Sequence, residues 1–285
     1  MLDPPPRQPG PPPPLLSSKV LASFVTHGYL RFDDIVPAEL CRGALLELAA
    51  GLTPTPFGAP RANRESDWPG RPLEELWLDS PAIGPVLRLP RVAGVIESLV
   101  GPNARYDHHY AHVIGPRQRW SQPWHADAIV DPRPFAFDIQ LLFFFHDTPR
   151  DAGGTMILPG SHLRRVNESD IARYQNFRGQ LPTVCRAGTL LVCHHGIWHC
   201  GQPNHTDSPR TMFKLRLGPS VRQHRLWDTR DIADPQIADV LRTNHSWTGG
   251  DARLEVVSRI KLWRYLTGDA TFDVDYWLTR IENRT

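Results

Sequence analysis

Two histidine-containing stretches, well separated along the chain, place the strongest constraint on how this sequence can fold. The first reads Trp-His-Ala-Asp at 124–127, and the second reads His-Gly-Ile-Trp-His at 195–199. Residues i and i+2 of a β-strand point to the same side, so His125 and Asp127 project into one space. A strand that returns beside them could add His199. The pattern therefore favours a sheet structure that brings these three side chains together.

Two imidazoles and one carboxylate on one face of a metal ion leave the opposite face open. This arrangement suits non-haem Fe(II), which must bind a co-substrate and O2 at the same time. Zinc is the rival metal, but a catalytic zinc site usually leaves only one position open. A single His-x-Asp pattern also occurs in ordinary strands, so further features are needed to support a metal site.

Two such features lie nearby in the sequence. Arg210 follows His199 by eleven residues and begins a strand-like segment at 210–217. Its guanidinium is a planar fork that can bind a carboxylate through two parallel hydrogen bonds. Residues 153–162 predict a short strand that is entered through glycines and left through a Pro-Gly turn.

Taken together, His125-x-Asp127, the Pro-Gly-Ser-His run at 159–162, His199 and Arg210 resemble the phytanoyl-CoA dioxygenase family over roughly residues 20–220. The resemblance implies a mainly β fold with flanking helices and a double-stranded β-helix (jelly-roll, cupin-like) core. It also implies Fe(II), 2-oxoglutarate and O2 as cofactor and co-substrates. The metal would map to His125, Asp127 and His199, and the 5-carboxylate of 2-oxoglutarate to Arg210.

Three further residues are candidates for the co-substrate pocket. Phe143 falls where the family often places an aromatic residue beside 2-oxoglutarate, although plain core packing is an equal alternative. Gln140 is the one polar residue of the apolar segment 139–145, and it needs a partner if buried. Thr155 is a candidate because Gly201 stands where some relatives carry a hydroxyl residue that helps to bind 2-oxoglutarate.

Two alternatives remain open at the level of the ligands and the reaction. His195 competes with His199 by strand periodicity, but the family's spacing to Arg210 favours His199. The resemblance implies a dioxygenase that hydroxylates a small molecule and releases succinate and CO2, while desaturation and ring formation remain open. Halogenating relatives replace the carboxylate ligand by a small residue, so Asp127 disfavours halogenation. A cupin-like metal-dependent isomerase and a non-catalytic metal-binding protein are the alternative functions.

Composition narrows the other function classes. The formal net charge of +2 gives no reason to expect a nucleic-acid or membrane partner. Four cysteines without a regular spacing predict free thiols in a reducing compartment. We find no signal-peptide pattern and no membrane-length apolar stretch, so we expect a cytoplasmic monomer or homodimer.

The chain divides into a proline-rich tail and one catalytic domain. We expect residues 1–15 to be disordered and 16–285 to form a single domain, with the β-helix core at about 104–218. The segments 53–72 and 163–182 lack a core pattern and are candidates for a cover over the site. We expect helical decorations on both sides of the β-helix core, and the aromatic residues beyond 234 predict a segment packed over the core or against another subunit.

Overall fold

The computed structural model of the chain describes residues 13–53, 61–62, 69–128, 131–164, 166–245 and 247–280. The helices are α1 (Ser18–His27), α2 (Ala38–Gly51), α3 (Ile83–Leu87), α4 (Pro90–Val100), α5 (Glu168–Ala172), α6 (Gln236–Leu241), α7 (Gly249–Thr267) and α8 (Tyr276–Thr279). The strands are β1 (Tyr29–Phe32), β2 (Leu52–Thr53), β3 (Arg61–Ala62), β4 (Arg105–Ile114), β5 (Ile139–Phe144), β6 (Thr155–Ile157), β7 (Leu181–Pro182), β8 (Thr189–His194), β9 (His199–Gly201) and β10 (Arg210–Gly218).

Antiparallel sheets form the centre of the described structure. The larger sheet has the order β1-β8-β5-β10-β4, and a smaller one has the order β7-β6-β9. Each strand pairs antiparallel with its neighbours, and β2 and β3 form a separate pair. Helices flank these sheets, so the predicted mainly β architecture with flanking helices is confirmed.

The two faces of the larger sheet bury different kinds of side chain. Phe143 of β5 and Phe213 of β10 point to one face and join the main hydrophobic core with α1 and α4. Their neighbours Leu142 and Met212 point to the other face and form a smaller apolar cluster. Because β5 is buried on both faces, its sequence is almost entirely apolar. The second face is the one that meets the candidate site.

Local capping residues set the two ends of the first helix. The Ser17 side chain accepts a hydrogen bond from the backbone N–H of Val20, which caps the start of α1. Gly28 ends the helix with a left-handed φ of 77°, a conformation that glycine adopts without strain. The chain then enters β1 directly.

The aromatic C-terminal region packs on the core for part of its length. Trp263 of α7 is buried, and its ring lies 5.9 Å from that of Trp227. Trp277 of α8, by contrast, is 74% exposed. The prediction of a packed segment therefore holds for α7 and not for the exposed ring of α8.

The described part of the chain includes the end of the proline-rich segment. The backbone N–H of Leu16 donates to Ser98 Oγ at 2.8 Å, and the Pro14 carbonyl lies where a Cβ at Gly94 would sit. The last residues of the proline-rich segment therefore pack against α4, whereas residues 1–12 lie outside the described residues.

Two further sequence predictions concern the cysteines and membrane spans. All four cysteines are buried free thiols. Among the described helices, none is both long and apolar enough to cross a membrane. Most of the predicted covering segment 53–72 lies outside the described residues.

Candidate metal centre

His125 and His199 lie opposite each other on neighbouring extended segments. The His125 N–H donates to the His199 carbonyl at 3.1 Å, and the His199 N–H donates back at 2.9 Å. This exchange adds the segment at His125 to the edge of β9, and it brings the two imidazole centroids to 4.3 Å. The structure thereby joins the two halves of the site as the sequence pattern predicts.

Backbone carbonyl groups fix the orientation of both imidazoles. His125 Nδ1 donates to the Pro123 carbonyl at 2.9 Å, and His199 Nδ1 donates to the Ile197 carbonyl at 3.0 Å. A proton on Nδ1 leaves a lone pair on Nε2, which is the form that binds a metal ion. Burial lowers the pKa of His199 to about 4, so its imidazole is neutral at neutral pH.

The carboxylate of Asp127 divides its two oxygens between two tasks. Oδ1 lies 3.6 Å from His125 Nε2 and 3.8 Å from His199 Nε2. Oδ2 accepts a hydrogen bond from Gln140 Nε2 at 2.7 Å and also forms an ion pair with Lys214 Nζ. Burial alone would raise the pKa of Asp127, but His199, Lys214 and His125 outweigh it and hold that pKa well below its usual range.

These atoms form a set that fits a divalent metal ion. One ligand atom from each of His125, Asp127 and His199 lies within 4.8 Å of the others. Metal–ligand bonds of about 2.1 Å at roughly right angles place two ligand atoms about 3 Å apart, so only a small closure is needed. Two neutral imidazoles and one carboxylate on one side are the donor set of non-haem Fe(II) sites.

Arg210 supplies a buried positive charge at the same cavity. It is 5% exposed, and its Nη1 donates to the carbonyls of Ala152 and Gln202 at 2.8 and 3.0 Å. No carboxylate of the described residues pairs with it, and burial lowers its pKa to about 10, so it stays charged at neutral pH. A buried charge without a counter-ion is costly, so the guanidinium fits a site that receives an anionic ligand.

A glycine makes room for that guanidinium. Gly153 has a φ of 91°, and a Cβ at this position would lie 2.6 Å from Arg210 Nη1. Any side chain here would therefore push against the arginine as well as strain the backbone. The Gly-Gly entry to β6 has this packing role.

Thr155 lies in the cavity as predicted. It pairs across the sheet with Gly201, and both residues line the cavity with the two histidines and Arg210. A Cβ at Gly201 would lie 2.9 Å from Gln122 Oε1, which accepts a hydrogen bond from the Gly201 N–H at 3.0 Å. Gln122 therefore occupies the space that a larger residue at 201 would need. The sequence does not single out Gln122, because its contact with Gly201 joins segments that are far apart along the chain.

Two other candidates lie elsewhere. Phe143 stacks on Phe145 in the main core, with ring centroids 5.7 Å apart, and it is Leu142 that faces the cavity. The alternation of side chains along β5 explains this correction. His195 Nε2 donates a hydrogen bond to Asp131 Oδ2 at 2.9 Å, and His195 is not part of the ligand cluster found among the described residues.

Alternate side chains of β10 point towards the cavity. Arg210, Met212 and Lys214 line the cavity in turn. Arg216 comes next and pairs with Asp138 at 3.0 Å. Lys214 and Arg216 both pair with carboxylates of the chain, Asp127 and Asp138 respectively.

One of the histidines on β4 also reaches the cavity. His112 lies opposite Met212 and lines the cavity, whereas His109 points into the main core. Burial lowers the pKa of His112 to about 3, so this imidazole is neutral. Its Nε2 is buried without a hydrogen-bond partner among the described residues, so a polar ligand in the cavity would satisfy it.

An open-faced set of two histidines and one aspartate, beside a buried arginine and carried on antiparallel sheets, defines the class of non-haem iron enzymes that use 2-oxoglutarate. The chain belongs to the phytanoyl-CoA dioxygenase (PhyH) family, whose sequence model matches residues 24–212. Enzymes of this family use Fe(II), 2-oxoglutarate and O2.

Curated relatives include the uncharacterized proteins Rv1501 of Mycobacterium tuberculosis and Mb1539 of Mycobacterium bovis. Each is 21% identical over 159 residues, which cover 54% of this chain and 57% of the relative. The chain thus spans little more than half the length of the curated relatives that it matches.

Several solved structures share the fold. SnoN, a non-haem α-ketoglutarate-dependent epimerase from nogalamycin biosynthesis, is 19% identical, covers 71% of this chain and 83% of its own, and gives a TM-score of 0.54. The carbocyclase SnoK from the same biosynthesis is 18% identical, with 72% and 85% covered and a TM-score of 0.54. EctD from S. alaskensis, solved with 2-oxoglutarate and 5-hydroxyectoine, is 19% identical, with 72% and 76% covered and a TM-score of 0.54.

Proposed function

We propose that this chain is a Fe(II)- and 2-oxoglutarate-dependent hydroxylase of a small polar molecule, with succinate and CO2 as co-products. The observation that carries the proposal is the cluster of His125, Asp127 and His199, whose two histidines line a cavity together with Arg210. The proposal treats residues 16–285 as one catalytic domain on a double-stranded β-helix, or jelly-roll, core.

In this proposal the residues of the cavity divide into two groups. His125, Asp127 and His199 hold the metal, while Arg210 and Thr155 bind 2-oxoglutarate. When bound, Fe(II) would activate O2, and the decarboxylation of 2-oxoglutarate to succinate and CO2 would supply two of the electrons that O2 takes up, so that the substrate has to supply the other two. The chain orients the ligands through the carbonyl bonds on each imidazole Nδ1, and it places a fixed positive charge where the 5-carboxylate binds.

The proposed outcome of the reaction is hydroxylation. SnoN is described as an epimerase and SnoK as a carbocyclase, so enzymes of this fold differ in their reactions. Asp127 fills the ligand position that halogenating relatives leave to a halide, which argues against halogenation. The product of turnover therefore has to be measured directly.

A second pocket beside the metal centre supports an entry side for the substrate. It is lined by Ala126, the residue between two of the metal-centre side chains, and by Asp131 and Arg133. Arg210 is 5% exposed, whereas the Arg133 side chain is 36% exposed. Asp131 and Asp138 pair with Arg133, and these charged groups support a polar substrate.

The test is succinate release by anaerobically reconstituted protein with Fe(II), 2-oxoglutarate, O2 and a panel of polar small molecules. We expect one panel member to stimulate succinate formation and to gain one oxygen atom by mass spectrometry. An Asp127→Ala variant is the negative control. A product that has lost two hydrogens, or an isomer, would replace hydroxylation by desaturation or isomerisation. Turnover without 2-oxoglutarate would support the isomerase alternative instead.

A further inference from the structure

A neutral side chain and a positively charged side chain contact the same oxygen of Asp127. Gln140 Nε2 and Lys214 Nζ both contact Oδ2, which leaves Oδ1 facing the two histidines. Gln140 is 1% exposed, and the Lys214 side chain is 8% exposed. One partner brings a neutral amide and the other a full positive charge. The two contacts therefore have different consequences for an ion bound at Oδ1.

Gln140 acts as a neutral support. Its amide orients the carboxylate and adds no charge, so it favours the metal-binding geometry. Lys214 also orients Asp127, but its ammonium stands next to the carboxylate that must neutralise the metal. Two cations on the two oxygens of one buried carboxylate repel each other, and the low dielectric of a buried site strengthens this repulsion.

The charges of the whole cavity show when the repulsion is relieved. A divalent ion with Asp127, Lys214 and Arg210 carries a net charge of roughly +3 when the histidines are neutral. The 2-oxoglutarate dianion lowers this net charge to about +1. Lys214 therefore opposes the metal in the cavity without co-substrate, and it attracts the co-substrate once the metal is present.

We propose that Lys214 is a positioning residue that competes with the metal for Asp127 and so couples metal retention to 2-oxoglutarate. This inference rests on the proposed assignment of the metal to His125, Asp127 and His199. It places the effect of Lys214 on the metal and co-substrate equilibria rather than on the substrate. The opposite expectation is that Lys214, like Gln140, only holds Asp127 in place.

The two expectations predict opposite changes in metal affinity when the charge of Lys214 is removed, so a binding experiment distinguishes them. Mn(II) binding is measured by calorimetry with the full chain, with and without saturating 2-oxoglutarate, because Mn(II) binds carboxylate–imidazole sites without supporting turnover of the iron enzyme. Lys214→Met removes the charge and keeps the length of the side chain. Lys214→Gln keeps a hydrogen-bond donor without the charge, and Lys214→Arg keeps the charge.

We expect Lys214→Met and Lys214→Gln to bind Mn(II) about tenfold more tightly than the unchanged chain in the absence of 2-oxoglutarate. In both variants the ratio of Mn(II) affinities with and without 2-oxoglutarate should fall by roughly fivefold, because the removed charge opposes the metal most strongly when the dianion is absent. Since binding linkage is reciprocal, the effect of Mn(II) on 2-oxoglutarate affinity should fall by the same factor. Lys214→Arg should retain the weak binding and the large ratio. Gln140→Met should change Mn(II) affinity in the opposite direction, with a loss of about threefold to tenfold.

Lys19→Met is the matched control, since it makes the same chemical change on the exposed face of α1. Equal tightening in Lys19→Met would attribute the effect to overall charge and overturn the proposal. Weaker Mn(II) binding in Lys214→Gln would show a purely structural support and would also overturn it. Loss of Mn(II) binding in His199→Ala tests the underlying metal assignment separately, so the two failures are distinguishable.

Discussion

The ring of Phe177 stands edge-on to the indole of Trp124, with ring centroids 5.2 Å apart and planes at 89°. The same ring lies 5.6 Å from Trp198. Each of these tryptophans is the residue directly before a histidine of the metal centre, His125 or His199. The segment at 163–182, which carries Phe177, therefore packs against the backbone that positions both imidazoles.

This packing sharpens the prediction of a cover. We expect the segment at 163–182 to gain protection from hydrogen exchange when metal, 2-oxoglutarate and substrate are all bound, because a reactive site must exclude water. Exchange is measured by mass spectrometry on peptides from 163–182 and from 53–72, with peptides from β5 as the unchanged control. Equal protection of both segments in the free and bound states would move the cover elsewhere, most plainly to the C-terminal region.

The second prediction concerns the metal ligands. His125→Ala, Asp127→Ala and His199→Ala should each lose metal binding and Fe(II)-dependent turnover, because two remaining ligands hold an ion poorly. His195→Ala should retain metal binding, since His195 pairs with Asp131 outside the cluster. Metal content after anaerobic reconstitution measures the effect. A metal-free His195→Ala protein beside a metal-loaded His199→Ala protein would reverse the assignment.

The third prediction concerns the grip on 2-oxoglutarate. Arg210→Lys keeps the charge and loses the bidentate fork, while Arg210→Ala loses both. A charge-assisted hydrogen bond contributes roughly 1.5–3 kcal/mol, so Arg210→Ala should weaken 2-oxoglutarate binding by about one to two orders of magnitude. The 2-oxoglutarate affinity of Arg210→Lys should lie between those of the unchanged chain and Arg210→Ala. Calorimetry on the Mn(II)-loaded proteins gives the affinities, and unchanged binding in Arg210→Ala would exclude this role.

The fourth prediction is a loss of stability in acid. Burial lowers the pKa of His162 to about 3 and that of His109 to about 4, so both are neutral in the folded chain at neutral pH. The unfolded chain binds more protons below about pH 6.5, where free histidine titrates. The free energy of unfolding should therefore be highest above that pH and should fall as the pH drops towards these folded values.

Urea unfolding at pH 7, 6 and 5 measures this dependence. His162→Gln should reduce the number of protons taken up on unfolding at pH 5 by about one. His205→Gln, a change at an exposed histidine, is the control. An identical pH slope for His162→Gln and the unchanged chain would show that His162 does not contribute to the acid sensitivity.

Several structural features of this protein depend only on residues that are close together in the sequence. Ser17 and Gly28 bound α1 because caps and left-handed glycines act within a few residues. The His-x-Asp spacing predicts that His125 and Asp127 lie together, and they do so on an extended segment that forms a single bridge at His125 rather than a strand. The family pattern adds His199 and Arg210, and both of these side chains line one cavity with His125.

The local sequence of an apolar strand does not show which of its side chains point to the core and which to the cavity. Because β5 is buried on both faces, its sequence lacks the alternation that would assign Phe143 to the core and Leu142 to the cavity. The bounds of the nineteen-residue helix α7 do not follow from the sequence pattern, for a related reason. Its buried face carries the ion pair of Glu255 and Arg259, which interrupts the apolar period that marks a helix.

The sequence by itself determined the His-x-Asp spacing at 125–127, the interval from His199 to Arg210 and the residues that cap α1. Only the tertiary structure decided which side chains surround them. Lys214 meets Asp127 across 87 positions of the chain, and Gln122 fills the space beside Gly201 across the strands. Such contacts depend on strand order and register, which are properties of the assembled sheets, whereas caps and strand periods depend only on neighbouring residues.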